Sequence, residues 1–191
     1  MNPLSPPSVR DDQRGYPHGS SDTTGGRRAW DVAAAVPDPE VPVLTIGDLG
    51  VLRAVTVDAV GRLQVTVTPT YSGCPAMDAI RTDVVRALNA AGFALAEVHT
   101  VLSPAWTTDW MSAEGKRKLL AYGIAPPAQR RAVPAIGRTT GSGPVLVNLS
   151  VRCPRCGSGD TRELSRFGST ACKALWSCRA CLEPFDHFKA I

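Results

Sequence analysis

The run LQVTVTPTYSGCPAMDAIRTDVVRALNAAG, residues 63–92, decides the fold. Leu63, Val65 and Val67 alternate with Gln64, Thr66 and Thr68, the period-two pattern of a half-buried strand. Pro69 cannot donate to a sheet ladder, so the strand ends near it. Met77, Ile80, Val84, Leu88 and Ala91 then recur at helical spacing, and Gly92 supplies a left-handed stop. Cys74 lies between the two elements, with Gly73 before it and Pro75 after it. Pro75 suits a first helical position. That places Cys74 at or beside the N-cap, where backbone N–H groups and the helix dipole favour a thiolate over a thiol. A sulfur so placed is poised to ligate a metal or to act as a nucleophile.

Upstream, residues 51–58 form a second strand, joined through a 59–61 hairpin to the first. Residues 46–50, IGDLG, read as a turn, and AWDVAAAV at 29–36 as a short helix offering Trp30, Val32, Ala33 and Val36 for burial. Between them Pro37, Pro39 and Pro42 force extended or turn backbone. Asp38 and Glu40 are held on that stiff loop. They either cap a turn and face solvent, or form a polar rim beside Cys74. Downstream, residues 93–102 give a third strand containing His99, which reads as a surface or satisfied core histidine. Ser103-Pro104 breaks it, and residues 106–122 supply another helix. Thr107 or Thr108 caps that helix, with Lys116, Arg117 and Lys118 toward its end. Trp106 and Trp110 share a face, read as core or interdomain packing rather than a partner-binding hot spot. The order α-β-β-α-β-α implies an α+β domain over 29–123, a small three-stranded sheet packed with helices.

The 191 residues accommodate one ordinary domain and a small second one. Residues 1–28, poor in large apolar side chains and containing His18, read as a disordered tail, and 124–144 as a linker. No run is long enough to span a membrane, and the first residues lack the order of a secretory signal, so a cytoplasmic location is expected. The net charge of +4 comes from scattered lysines and arginines, which argues against a nucleic-acid stripe.

Residues 145–191 open with alternating apolar residues at 145–151. Cys153-Pro154-Arg155-Cys156 is followed, after 21 intervening residues, by Cys178-Arg179-Ala180-Cys181. Two C-x-x-C knuckles so spaced signal a tetrahedral four-cysteine ribbon holding structural zinc, with rubredoxin-like iron the alternative. So small a unit draws much of its folding energy from the metal. Cys172 is surplus: buried, a substitute ligand, or redox active, with burial the default. His187 does not fit ligand spacing and reads as a surface residue. No nucleophilic triad, phosphate-cradling glycine loop or di-iron motif is present, so a self-contained enzyme is not expected.

Several stretches together resemble known families. DPEVP at 38–42, IGDLGVL at 46–52 and TYSGCPA at 70–76 resemble the iron–sulfur assembly family of SufT-like and cytosolic iron–sulfur targeting proteins. PAWTTDWMSAEGKRKLLAYGIAPP at 104–127 and FGSTACKALWSCRACLEPFDHFK at 167–189 are similar to the D-subunit (PaaD) family of ring-1,2-phenylacetyl-CoA epoxidases. The resemblance spans about 30–191. It implies an accessory or maturation role in aerobic phenylacetate catabolism, beside a di-iron oxygenase and an iron–sulfur flavin reductase as partners. It also implies that Asp38, Glu40 and Cys74 form the assembly-domain site, that the four knuckle cysteines bind metal, and that Cys172 is a candidate functional thiol.

Three hypotheses follow. In the first, Cys74 binds iron or a cluster transiently, with Asp38 and Glu40 as oxygen ligands or proton acceptors. One cysteine is too few for a resident cluster, so coordination is transient or shared across a homodimer. In the second, the chain is a docking component of the oxygenase complex that relies on Trp106 or Trp110. In the third, the ribbon binds nucleic acid.

Overall fold

The computed structural model describes residues 19–20, 24–58, 60, 62–127 and 151–189. Its first sheet grows from the segment quoted above. Strand β3 (Leu63–Val67) buries Leu63, Val65 and Val67 and turns Gln64 outward. It pairs antiparallel with β2 (Leu52–Val57) and parallel with β4 (Ala96–Thr100). The parallel step needs a crossover, and helix α3 (Met77–Ala90) supplies it, burying Met77, Ile80, Val84 and Leu88. The expected three strands are therefore present in an α+β arrangement. A two-residue strand β1 (Gly19–Ser20), parallel to β2, adds a fourth.

The N-terminal boundary differs from expectation. Helix α1 runs Thr24–Ala34 and so starts inside the segment read as a tail. Ala29 and Ala33 are fully buried in the main core. Arg28 fixes the helix laterally, donating to the Ala91 carbonyl at 2.9 Å and lying over the Phe93 ring. The two glycines and two arginines of this helix weaken the local pattern; packing against β2 and α3 overrides it. His18 lies outside the described residues.

Residues 46–50 are also more ordered than a turn. They form a short helix, α2 (Ile46–Leu49), opened by a capping box in which Thr45 Oγ1 accepts from Asp48 N–H and Asp48 Oδ2 accepts from Thr45 N–H. Gly50 closes it at φ +69°, where a Cβ would lie 2.5 Å from the Trp110 carbonyl oxygen.

The 106–122 helix divides in two. A 3-10 turn at Thr108–Trp110, capped by Thr107, precedes α4 (Ala113–Tyr122), whose N-cap is Ser112. The lysines and arginine at 116–118 therefore miss the last turn of α4. Lys118 instead reaches Asp48 Oδ2 at 2.6 Å, and Ser112 Oγ donates to Asp48 Oδ1 at 3.2 Å, so α2 and α4 are locked together.

The expected linker begins as structure. Gly123 ends α4 in the left-handed region, and Ile124–Ala125 continue directly as β5, parallel to β8 (Pro184–Phe188). With β7 (Lys173–Cys178) and β6 (Thr161–Ser165) they make a second sheet of order β5-β8-β7-β6. Residues 145–150 lie outside the described residues, and Val151 is not in a strand. The ribbon thus takes one strand from the chain that leaves the first domain. Its inner side, Cys172 and Phe188 together with Ile124, belongs to the main hydrophobic core. Trp106 bridges the halves: its ring lies 6.2 Å from that of Phe188, and its Nε1 donates to the Leu49 carbonyl at 2.9 Å. A second, smaller core gathers Ala125, Val151, Cys153, Cys178 and Phe185. Among the described residues no helix is long and apolar enough to cross a membrane.

Candidate metal centre and thiol–carboxylate corner

The four knuckle cysteines converge. All four sulfurs lie within 4.8 Å of one another; Cys153 and Cys181 are 3.7 Å apart, and Cys156 and Cys178 3.5 Å. A tetrahedral ion with metal–sulfur bonds of about 2.3 Å sets its ligands about 3.8 Å apart, so the quartet fits such an ion. Each knuckle is a tight turn. Gly157 N–H donates to the Cys153 carbonyl, and Cys181 N–H points at the Cys178 sulfur. The residue after each second cysteine takes the left-handed conformation: Gly157 at φ +73° and Leu182 at φ +64°. Cys153 and Cys178 are buried and Cys156 faces solvent. An ion bound there would tie the loop that precedes β6 to the end of β7 and the turn that follows it. His187 is not a surface residue. It packs edge-on against Trp176 with ring centroids 5.7 Å apart, and burial pushes its pKa down to about 4.

The second cluster lies where the two halves meet. The prolines of the 37–42 loop leave Asp38 little freedom, and its side chain turns inward. Asp38 Oδ1 accepts from the backbone N–H groups of Glu40 (2.9 Å) and Val41 (2.7 Å). This is the turn-capping role read from the residue type, but carried out in the interior: Asp38 is 7% exposed. Burial raises its pKa against those two hydrogen bonds and the Lys173 charge. Glu40 follows on the same loop. Burial and then the Asp38 charge raise its pKa too.

Cys74 faces these carboxylates from the strand-to-helix turn. The first helical residue is Met77 and the N-cap Ala76, so Cys74 sits two residues ahead of the cap instead of on it. The expectation of a stabilised thiolate is corrected accordingly. Burial pushes the Cys74 pKa above the ordinary value. Glu40 and Asp38 add to the rise, opposed by the Ala76 backbone N–H and a hydrogen bond from Tyr71. Burial, the largest cause, outweighs the Ala76 N–H, which is the strongest group favouring the thiolate.

The ribbon contributes the remaining groups. Cys172, 4% exposed at the start of β7, points its sulfur at Glu40 Oε2, 3.8 Å away, and at Thr170 Oγ1, 3.0 Å away. Lys173, almost as buried, pairs with Asp186 at 3.5 Å and lends its charge to Asp38, Glu40 and Cys172. Tyr71 borders the cluster. Burial, then the neighbouring Cys74 and Glu40, push its phenol up to about 12, which keeps it a hydrogen-bond donor. Sequence reasoning assigned no role to Lys173, Tyr71 or Thr170, although all three lie inside the quoted motifs. Asp38, Glu40, Cys74 and Cys172 meet in one corner. His99, in contrast, is exposed on β4 beside Glu97.

Residues 29–101 match the family model of the iron–sulfur cluster assembly proteins, and residues 141–189 match that of the PaaD zinc beta ribbon domain. The Escherichia coli K12 protein named as the D component of 1,2-phenylacetyl-CoA epoxidase is 46% identical over 162 residues, 85% of this chain and 91% of that one. The chain belongs to the PaaD family. An Fe-S protein maturation auxiliary factor of Porphyromonas gingivalis is 38% identical over 83 residues, 43% of this chain and 78% of its own. YitW of Bacillus subtilis, also named an Fe-S protein maturation auxiliary factor, is 39% identical over 90 residues, 47% of this chain and 84% of its own. A solved domain of unknown function from Bacillus anthracis aligns at 33% identity with a TM-score of 0.45, covering 49% of this chain and 89% of that one. In this PaaD-family chain the seam between assembly domain and ribbon runs through the thiol–carboxylate corner.

Proposed function

We propose that this chain is an accessory, maturation subunit of a phenylacetyl-CoA epoxidase, assisting delivery of iron or an iron–sulfur cluster to a partner subunit. The partner is an iron–sulfur flavin reductase or a di-iron oxygenase. The observation that carries the reading is the meeting of Cys74 with Glu40 on a loop braced by Asp38, in a PaaD-family chain related to two Fe-S maturation factors. The iron is cargo. Among the described residues the ribbon quartet is the one group whose ligand atoms all lie within 4.8 Å of one another. The corner is more open, as a site that releases its load must be. The ribbon holds zinc as a permanent structural ion, because four thiolates in tetrahedral array suit it.

The corner has the chemistry for that role. Thiols with raised pKa values stay protonated until a cation arrives, so the empty corner does not accumulate negative charge beside Asp38 and Glu40. Tyr71 and Lys173 supply a hydrogen bond and a positive charge at its edge. The docking reading rested on Trp106 or Trp110. Trp106 is 4% exposed and spent on internal packing, and Trp110 packs against the main core with Arg53 over its ring.

The test is to co-express Cys74→Ser with the other epoxidase components and measure iron per partner chain after purification. The expected result is an intact complex whose partner lacks iron. Fully metallated partner made beside Cys74→Ser would overturn the reading.

A further inference from the structure

We propose that the open edge of β4 is an interface with a second copy of this chain, the two β4 strands pairing antiparallel about a two-fold axis at Val98. Strand β4 ends the first sheet, whose order is β1-β2-β3-β4. A sheet edge offers unpaired N–H and C=O groups to another strand, and proteins block such edges by shortening or bulging them. The other edges described are blocked in that way. Strands β1 and β5 have two residues each, and β6 is bulged between Glu163 and Ser165. Strand β4 has five residues in unbroken register with β3. Its ladder reaches one residue further at each end, where Leu63 N–H donates to the Leu95 carbonyl and Val101 N–H to the Val67 carbonyl. The odd-numbered residues from Leu95 to Val101 therefore turn their backbone groups toward β3. Ala96, Val98 and Thr100 turn theirs to the open edge.

The sequence on this edge is self-complementary. Ala96, Val98 and Thr100 lie in register with the buried Leu63, Val65 and Val67, so Leu95, Glu97, His99 and Val101 share the opposite face. With the axis at Val98, Leu95 meets Val101 of the second copy and Glu97 meets His99 of the second copy, and each pair occurs twice. An imidazole N–H donates to a carboxylate whether or not the ring is charged. These are non-hydrogen-bonded positions, where facing side chains approach most closely. Glu97 and His99 are more than half exposed, and Leu95 is 58% exposed, an apolar side chain that this pairing covers. An axis at Glu97 would set two carboxylates opposite each other. An axis at His99 would oppose two imidazoles and leave Glu97 against Val101. Of the three, the axis at Val98 makes both pairs attractive. On the face toward α3, Arg81 holds Thr100 through its Oγ1 at 2.8 Å, and the small Ala96 of the second copy lies opposite. Strands β3 and β4 are parallel, so the turn at Cys74 follows the same end of the sheet as Thr100. Antiparallel pairing sends those ends in opposite directions, and each copy keeps its own thiol–carboxylate corner.

The test is sedimentation of the full chain, with zinc in the ribbon, over a range of concentrations. Wild type is expected to associate to a dimer. His99→Glu should weaken association at least about tenfold, because two cross-strand pairs turn from attractive to repulsive together. Adding Glu97→Lys to His99→Glu restores opposite charges and should recover the dimer. Both positions are exposed, so circular dichroism of the variants should match wild type. In wild type, the Ala96, Val98 and Thr100 amides should exchange with solvent more slowly in the dimer than in the monomer, followed by NMR. A monomeric wild type overturns the proposal, as does a His99→Glu dimer as tight as wild type or a double variant that stays monomeric. A dimer whose β4 amides exchange as freely as in the monomer overturns it too, since the contact then lies elsewhere.

Discussion

Asp48 links α2 to α4 through three partners. It closes the α2 capping box, pairs with Lys118 at 2.6 Å and accepts from Ser112. Burial alone would raise its pKa, but the Lys118 ammonium and the Thr45 N–H hold it below the ordinary carboxylate value. Asp48→Ala should therefore cost about 1–3 kcal/mol, read from denaturant midpoints. His187 works in the opposite sense. Its folded pKa of about 4 lies below the ordinary 6.5, so the unfolded chain binds the proton first as pH falls. Its contribution is complete above pH 6.5 and is lost as pH drops through 6.5 toward 4. Relative to His187→Phe, wild type should lose about 1–2 kcal/mol on going from pH 7 to pH 5. Melting curves of both proteins at the two pH values give the comparison, and parallel curves would refute it. Leu182 offers a test of strain. It is 79% exposed and sits at φ +64°, where its counterpart in the first knuckle is a glycine. Leu182→Gly should leave stability unchanged or raise it by up to about 1 kcal/mol, because it removes left-handed strain and little packing.

At the scale of elements, the seam between α2, the 3-10 turn and β8 joins assembly domain to ribbon. Trp106 fills it against Phe188 and hydrogen-bonds the end of α2. Trp106→Ala should cost about 3–5 kcal/mol and loosen the ribbon's hold on the first domain. Faster proteolysis near residues 124–127 would show it, and a variant as resistant as wild type would count against the bridge. The strand-to-helix turn at Cys74 and the proline loop at Asp38 are legible in sequence because their conformations are dictated locally. The three loop prolines restrict backbone whatever surrounds them, and Gly73 permits the left-handed conformation at φ +85° that the turn uses. The first turns of α1 were not legible. Two glycines at 25 and 26 argue against a helix there, and only contact with α3 and β2 makes it form.

For the whole molecule, the ribbon is supported from two directions: the four-sulfur centre at its outer end and the shared core at its inner end. Removing the metal with a chelator should release the outer end first, since the small core around Cys178 and Phe185 has little apolar area of its own. Cys172 should then become open to alkylation, measured by mass spectrometry before and after chelation. Continued protection without metal would mean that the main core alone suffices to hold β7 in place.

From the sequence by itself came the α+β pattern and the four-cysteine centre, while the grouping of Asp38, Glu40 and Cys74 was what the family resemblance implied. The first two are short-range patterns: alternation, helical spacing, or two cysteines in a single turn. Tertiary structure alone decided that β5 leaves the first domain to join the ribbon sheet, and that Lys118 meets Asp48 across 70 residues. It also decided that Cys172 meets Glu40 and that the Cys74 thiol is raised rather than lowered. These depend on which distant surfaces are pressed together and on how much water is thereby excluded, and no local pattern encodes either.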